Sequence, residues 1–364
     1  MISFEMTEEQ TLVRDSMREF AAAELRSHAR AADEASSVPA DLLATAWSLG
    51  LTSTQIPEAW GGGGEARSRV TNAILLEELA RGDAALALAA MAPALFANAI
   101  LDHGTDAQKK ALLPRFAGER FTTGAVAVCE PVALADGSRP RCIAEAKGGG
   151  YVLSGRKSLV AMGDRATHFL VTAREGNELA AYVVPRDAAR LVVGPLEKNM
   201  GLRALPTTTL ALEGVELPAE ARLGGASGAD VQAILDASRV ALAAVMLGLS
   251  RAVLEYCVPY SKDRIAFDEA IAKKQAIAFR LADMHIEVQA MRQLVWRAAS
   301  LLDHGEAATR AAWQARAYAA EKSMWIADNG VQVLGGHGFI REHPVEMWFR
   351  HARTLGVAEG LASL

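Results

Sequence analysis

The sequence predicts a mainly α-helical protein with a central β domain. An N-terminal helical domain is expected over residues 1–120, a middle antiparallel β domain over 121–226 and a C-terminal helical bundle over 227–364. Three observations support this order. Apolar residues recur at helical spacing behind capping residues through the first part of the chain. From Phe121, period-2 runs flank Gly-rich turns. Beyond the loop GGASGAD, Ala-rich helical stretches approach thirty residues in length. At 364 residues the chain also exceeds what one core usually supports, so several packed units are expected.

In the first part, Thr7 and Gln10 form a capping-box pattern, and Leu12, Val13, Met17 and Phe20 line one helical face behind it. Further helices are expected at about 40–49, between Pro39 and Gly50, and at about 68–81, 84–101 and 106–117. Thr105 and Gln108 repeat the capping pattern before the last of these. The run DAALALAAMAPALFANAILDHG is long enough to cross a bilayer. Ala dominates it, Pro93 interrupts it, and Asp83 and Asp102 flank it, so it reads as a buried helix and no membrane span is expected.

In the middle part, CIAEAKGGGYVLSGRKSLVAM places two β runs around a triple-Gly turn. THFLVTAREGNELAAYVVP repeats the device around Glu175, Gly176 and Asn177, and TTTLALEGVELP adds another period-2 segment. No helix long enough for a parallel crossover separates these runs, which points to an antiparallel sandwich or barrel. The last part predicts helices at about 230–260, 273–303 and 307–334, and a shorter one from Pro344 to the end. There is no internal repeat.

Composition excludes several function classes. A net charge of −5 provides no basic footprint for nucleic acid. Cys129, Cys142 and Cys257 form no CxxC pair, which argues against a disulfide framework and fits a reducing, cytoplasmic setting. Acidic residues near the N-terminus do not match a signal peptide. The run GGGG at 61–64 follows no strand, so it is not a dinucleotide fingerprint, and LGGHGF taken alone is a Gly-rich helix stop. His337, His343 and His351 lack HExxH spacing or a Cys cluster, so no metal is expected. Neither a GxSxG elbow nor a Cys-His arrangement is present.

Taken together, IPEAWGGGG, CEP, KNMGLRALPTTTLALEGVELP, YSKDRIAFDEAIAKKQAIAFRLADM and VQVLGGHGFIREHPVEMWFRHARTLGVAEG occur in the order seen in the acyl-CoA dehydrogenase family, which the chain resembles over nearly its whole length. The resemblance implies a C-terminal four-helix bundle, FAD as cofactor and α,β-dehydrogenation of an acyl-CoA thioester. It also implies an oligomer and an electron-transferring flavoprotein as acceptor. Glu359 matches the position of the family's catalytic base. The alternative base position carries Ser238 beside Arg239, and Arg239 is assigned to substrate binding. Arg264, Phe267, Gln275, Gln332, Gly335 and Gly336 match residues that meet the adenosine and pyrophosphate half of a neighbour's FAD. Val128, Cys129, Leu159 and Ala161 fall at positions around the flavin ring, and Ala135 at a flavin or substrate contact.

Departures from the family are concentrated around the ring. VALAD stands where relatives carry Gly-Ala-Gly-Ser-Asp, leaving Ala135 without a hydroxyl; Cys129 replaces Thr or Ser, and Leu159 and Ala161 replace a Trp and a Thr. The phosphate set is intact. This asymmetry makes a hetero-oligomer with a homologous subunit an alternative to a homo-oligomer, alongside a non-catalytic half-site subunit or a related flavin oxidase or monooxygenase. Leu361 replaces the Thr usual after the Glu-Gly pair, and the sequence ends at Leu364, so a lid from another subunit or a more open site is expected.

Overall fold

The computed structural model describes residues 5–133 and 135–364; Met1–Phe4 of the N-terminal reading and Leu134 of the VALAD run lie outside the described residues. Helix α1 (Glu8–Phe20) carries the expected capping box and continues through a π turn (Ala21–Leu25) into α2 (Arg26–Ala35). Then come α3 (Ala40–Ser48), α4 (Arg69–Gly82), α5 (Ala84–His103) and α6 (Asp106–Leu112). The helix expected over 106–117 stops early because Pro114 has no N–H to continue the ladder, and its tail becomes a 3₁₀ turn over Leu113–Phe116.

Seven strands form one sheet: β1 (Ala125–Ala127), β2 (Ile143–Lys147), β3 (Gly150–Ala161), β4 (His168–Glu175), β5 (Glu178–Pro185), β6 (Leu191–Leu196) and β7 (Thr207–Pro218). The expected antiparallel pairing holds for β2–β3, β3–β7, β4–β5 and β6–β7. It fails along one edge of β4, where β1 and β2 both run parallel to it, Ala125 opposite Phe169 and Ile143 opposite Arg174. The chain leaves that edge after Ala127 and rejoins it farther along in the same direction, so no crossover helix is required. Residues 128–142, the excursion between β1 and β2, carry CEP.

The C-terminal part holds α7 (Val231–Asp263), the small hairpin β8 (Ile265–Ala266) and β9 (Glu269–Ala270), α8 (Gln275–Asp303), α9 (Thr309–Leu334) and α10 (Val345–Val357). Helix α7 packs against α4, α8, α9 and α10. Both α5 and α7 are long and apolar enough to span a membrane, but 94% and 89% of their most apolar windows are buried inside the protein. A continuous helical core runs through α4, α5, α7, α8, α9 and α10. A second cluster joins α5 and α6 to one face of the sheet through Phe96, Phe116, Leu170 and Ile234.

One buried contact ties the three parts together. The Asp83 carboxylate caps α5 by accepting from the Leu86 N–H at 2.9 Å. Its other oxygen faces His351 Nε2 of α10 at 3.5 Å, the long edge of hydrogen bonding. His351 Nδ1 accepts from the Leu202 N–H of the middle part at 3.0 Å. Burial pushes the Asp83 carboxyl up; His351, the Leu86 N–H and Arg26 more than offset it and hold the group below its ordinary value. A depressed carboxylate contributes stability above its unfolded pKa, and that contribution is lost as pH falls through the folded value. Asp83→Ala is expected to cost about 2–4 kcal/mol, the cap plus an unsatisfied imidazole. Asp83→Asn keeps the cap and flattens the acid limb of urea midpoints measured against pH; an unaltered limb refutes the assignment.

Candidate active site

Glu359 lies just beyond α10, where the backbone becomes extended at Ala358, and its side chain is 21% exposed. Two groups grip this stretch by its backbone. Arg316 of α9 donates through Nη2 to the carbonyls of Leu355 at 2.7 Å and Ala358 at 2.8 Å. The Cys129 thiol donates to the Glu359 carbonyl at 3.3 Å and accepts from the Glu359 N–H at 3.2 Å. Burial pushes the thiol up to about 11, so it carries the proton that this bond needs at neutral pH. Gly360 follows at φ +73°, and a Cβ there would stand 2.6 Å from Val128 Cγ2, so only glycine permits the approach to β1.

The carboxylate points at α7. Arg239 is 1% exposed, and its Nε lies 3.4 Å from Glu359 Oε1 while Nη1 lies 3.3 Å from Asp236 Oδ1. The guanidinium sits 4.1 Å from the Trp313 ring centroid, and its Nη2 is buried with no partner. Asp236 is held in turn by Gln232 at 2.8 Å and Thr309 at 2.6 Å. The excursion after CEP closes on the other side of the base: a Cβ on Gly137 would come within 2.7 Å of Glu359 Oε2. Ala135 is exposed on that excursion.

CEP itself is an anchor. Glu130 accepts from the N–H groups of Arg141 at 2.7 Å and Cys142 at 2.9 Å, closing the neck of the excursion. It also pairs with Lys157 at 3.0 Å, a fully buried ammonium that donates as well to the Val128 carbonyl and Thr172. Burial pushes the Glu130 carboxyl up, and Lys157 with the two N–H groups brings it below its ordinary value. Leu159 follows in a bulge of β3 at φ +52°, a strained conformation for a side chain, with its N–H held by Glu197. Ala161 is buried at the end of the strand.

The sequence expectations thus divide in space. Glu359, Val128, Cys129 and Arg239 meet at one end of the bundle. Arg264, Phe267, Gln275, Gln332, Gly335 and Gly336 are exposed at the far ends of α7, α8 and α9. Arg239 and Arg264 are separated by about 37 Å along α7 at 1.5 Å per residue, farther than one dinucleotide reaches. Arg264 makes no ion pair among the described residues, and Phe267, 89% exposed, sits with Asp268 at positive φ in the turn of β8–β9. Added Cβ atoms at Gly335 and Gly336 would meet nothing within 4 Å. An unpaired guanidinium beside bare, open backbone suits a pyrophosphate, and the buried, unpartnered Arg239 Nη2 marks a polar ligand at the other end. The residues present fit FAD. This end of the bundle is also braced by Tyr260 on His337 at 2.8 Å and Tyr256 on His343 at 2.7 Å, with the two imidazoles stacked.

Sequence reasoning missed Arg316, Trp313, Asp236 and Lys157. Arg316 left a signal: it interrupts the buried apolar stripe Ala312, Ala315 and Ala319 of α9.

Comparison with known proteins places this geometry in a family. The N-terminal, middle and C-terminal domain profiles of acyl-CoA dehydrogenase match residues 7–120, 125–215 and 228–362. The probable acyl-CoA dehydrogenase YngJ of Bacillus subtilis is 32% identical, covering 100% of this chain and 97% of its own length. The mitochondrial short-chain specific acyl-CoA dehydrogenase of Bos taurus is 32% identical over 100% of this chain and 89% of its own. The butyryl-CoA dehydrogenase structure from Megasphaera elsdenii superposes with a TM-score of 0.88 at 30% identity, covering 100% of this chain and 96% of that one. With matches spanning the helical, β and bundle parts alike, the chain belongs to the acyl-CoA dehydrogenase family.

Proposed function

We propose that this chain is a FAD-dependent acyl-CoA dehydrogenase in which Glu359 removes the α-proton of an acyl-CoA thioester. The carrying observation is that Glu359 is fixed by its backbone at the junction of the sheet and the bundle, with its carboxylate against Arg239. FAD, when bound, accepts the hydride that leaves the β-carbon. A thioester α-proton is far too weakly acidic for a free carboxylate in water, so the chain has to supply desolvation and a fixed approach. The apolar Val128 and Leu235, buried beside the carboxylate, supply the first, and the backbone grip supplies the second. Arg239 Nη2 is the buried donor free to meet a polar atom of the substrate.

Arg264, Phe267, Gln275, Gln332, Gly335 and Gly336 would hold the pyrophosphate and adenosine of a neighbour's FAD, while Val128, Cys129, Leu159 and Ala161 would line the ring of this chain's own. Exposed Ile265, Phe267, Phe279, Phe339 and Ile340 support an oligomer, since apolar side chains of this size at the same end favour burial by another chain. The apolar Leu159 and Ala161 favour one second reading, a hetero-oligomer in which a homologous subunit binds the ring more fully. An electron-transferring flavoprotein is the proposed acceptor, and the free thiols Cys129, Cys142 and Cys257 support a cytoplasmic setting.

The test is anaerobic titration of the purified, flavin-loaded protein with acyl-CoA thioesters. Bleaching of the flavin absorbance is expected; a spectrum that no thioester alters refutes the reading, and peroxide release in air identifies an oxidase. Flavin per chain separates homomer from heteromer. Arg264→Ala is expected to weaken FAD binding about 10- to 100-fold, the loss of a charge-assisted hydrogen bond to phosphate. Equilibrium dialysis checks this, and unchanged affinity removes Arg264 from the site.

A further inference from the structure

The other buried cations and several buried carboxylates of this fold sit in ion pairs: Glu77 and Glu78 with Arg251, Asp33 with Arg350, Lys157 with Glu130 and Arg239 with Asp236. Arg316 is different: it is 5% exposed and, among the described residues, pairs with no carboxylate. Two carbonyls take its place. The C-terminal carbonyls of a helix lack intrahelical partners and carry the negative end of the helix dipole. Leu355 lies in the last turn of α10 and Ala358 at its C-cap, directly before Glu359. Through Nη2 the guanidinium joins both, at 2.7 and 2.8 Å, and so sets the direction in which the chain leaves the helix.

We infer that Arg316 is the positioning residue of the catalytic base, fixing Glu359 through the Leu355 and Ala358 carbonyls, with the Cys129 thiol as a second grip on Glu359 itself. Arg316 acts through the backbone rather than on the Glu359 carboxylate itself. Its role follows from geometry: Ala358 is fully buried and extended, Gly360 is locked against Val128, and between these points the carboxylate has only its own side-chain torsions. Lys157 extends the scaffold by holding Val128 and Glu130 on either side of Cys129. Misplacement of a catalytic group by about 1 Å costs on the order of 10²-fold in rate, so release of this grip lowers turnover without removing any group from the substrate.

The inference rests on Glu359 as the base, so Glu359→Gln is measured beside Arg316→Met, Arg316→Lys and Cys129→Ala, all as flavin-loaded full chains. Arg316→Met is expected to lower kcat per bound flavin about 10- to 100-fold with KM within about threefold. Arg316→Lys, whose ammonium can still reach a carbonyl, recovers at least part of that loss. Hydrogen-exchange mass spectrometry should show faster amide exchange across 355–360 in Arg316→Met, and in Cys129→Ala at Glu359. If Arg316→Met fails to hold flavin, Arg316→Lys and Cys129→Ala carry the same comparison. Normal turnover per flavin in these variants with unchanged exchange, beside an inactive Glu359→Gln, overturns the inference alone. Full turnover in Glu359→Gln overturns the base and the inference together.

Discussion

Glu359→Gln is expected to lower the rate of anaerobic flavin bleaching by acyl-CoA about 10²- to 10⁴-fold, the range that a positioned general base contributes. The substitution is nearly isosteric, and the amide can still face Arg239, so FAD content and thioester affinity are expected to stay within a few-fold. The backbone grip makes a second substitution informative. In Glu359→Asp the carboxyl is retained but withdrawn by one methylene, and a chain held at Leu355, Ala358 and Glu359 has little freedom to advance it. A loss of about 10²-fold is expected from that displacement alone. Stopped-flow absorbance checks both; a Glu359→Gln rate within tenfold of the unaltered protein eliminates the proposed base.

What could be read from the sequence was what is local or periodic. The capping boxes at Thr7 and Thr105 form because their partners lie three residues away, and the order of helices, strands and bundle follows from spacing. Glu359, Arg239 and Cys129 were identifiable through resemblance, and the fold brings these three together. Side-chain partners from separate elements were not legible. Nothing local links Arg316 in α9 to carbonyls at the end of α10, or Trp313 to a guanidinium in α7. The β8–β9 hairpin escaped because Phe267 and Asp268 occupy the left-handed region without the glycine or asparagine that normally announces such a turn. The parallel pairings on β4 escaped for a different reason: β1 and β2 are two pieces of one edge interrupted by the excursion that builds the site. The chain departs from sheet regularity there to place CEP beside the base.

Arg239→Met carries a large expected cost in both stability and turnover. The guanidinium neutralises two carboxylates from different parts of the structure, Asp236 within α7 and Glu359 beyond α10, while stacking on Trp313. Methionine preserves much of the packed length but leaves both carboxylates without their cation. Asp236 keeps Gln232 and Thr309 as donors, so the uncompensated charge falls mainly on Glu359. Removing one partner of a buried pair typically costs about 3–5 kcal/mol because the other charge is left stranded. The partial exposure of Glu359 places the expectation toward the lower end, near 3 kcal/mol. Urea unfolding followed by tryptophan fluorescence reads it as a lower midpoint, and an unchanged midpoint refutes the pairing. Catalysis should fall in the same variant, since Arg239 both orients the carboxylate and holds the spare buried donor. Arg239→Lys separates these contributions: a point charge recovers much of the midpoint but not the planar stack on Trp313 or the fork that meets Asp236 and Glu359 together. Its turnover is therefore expected to remain well below that of the unaltered protein even where its stability approaches it.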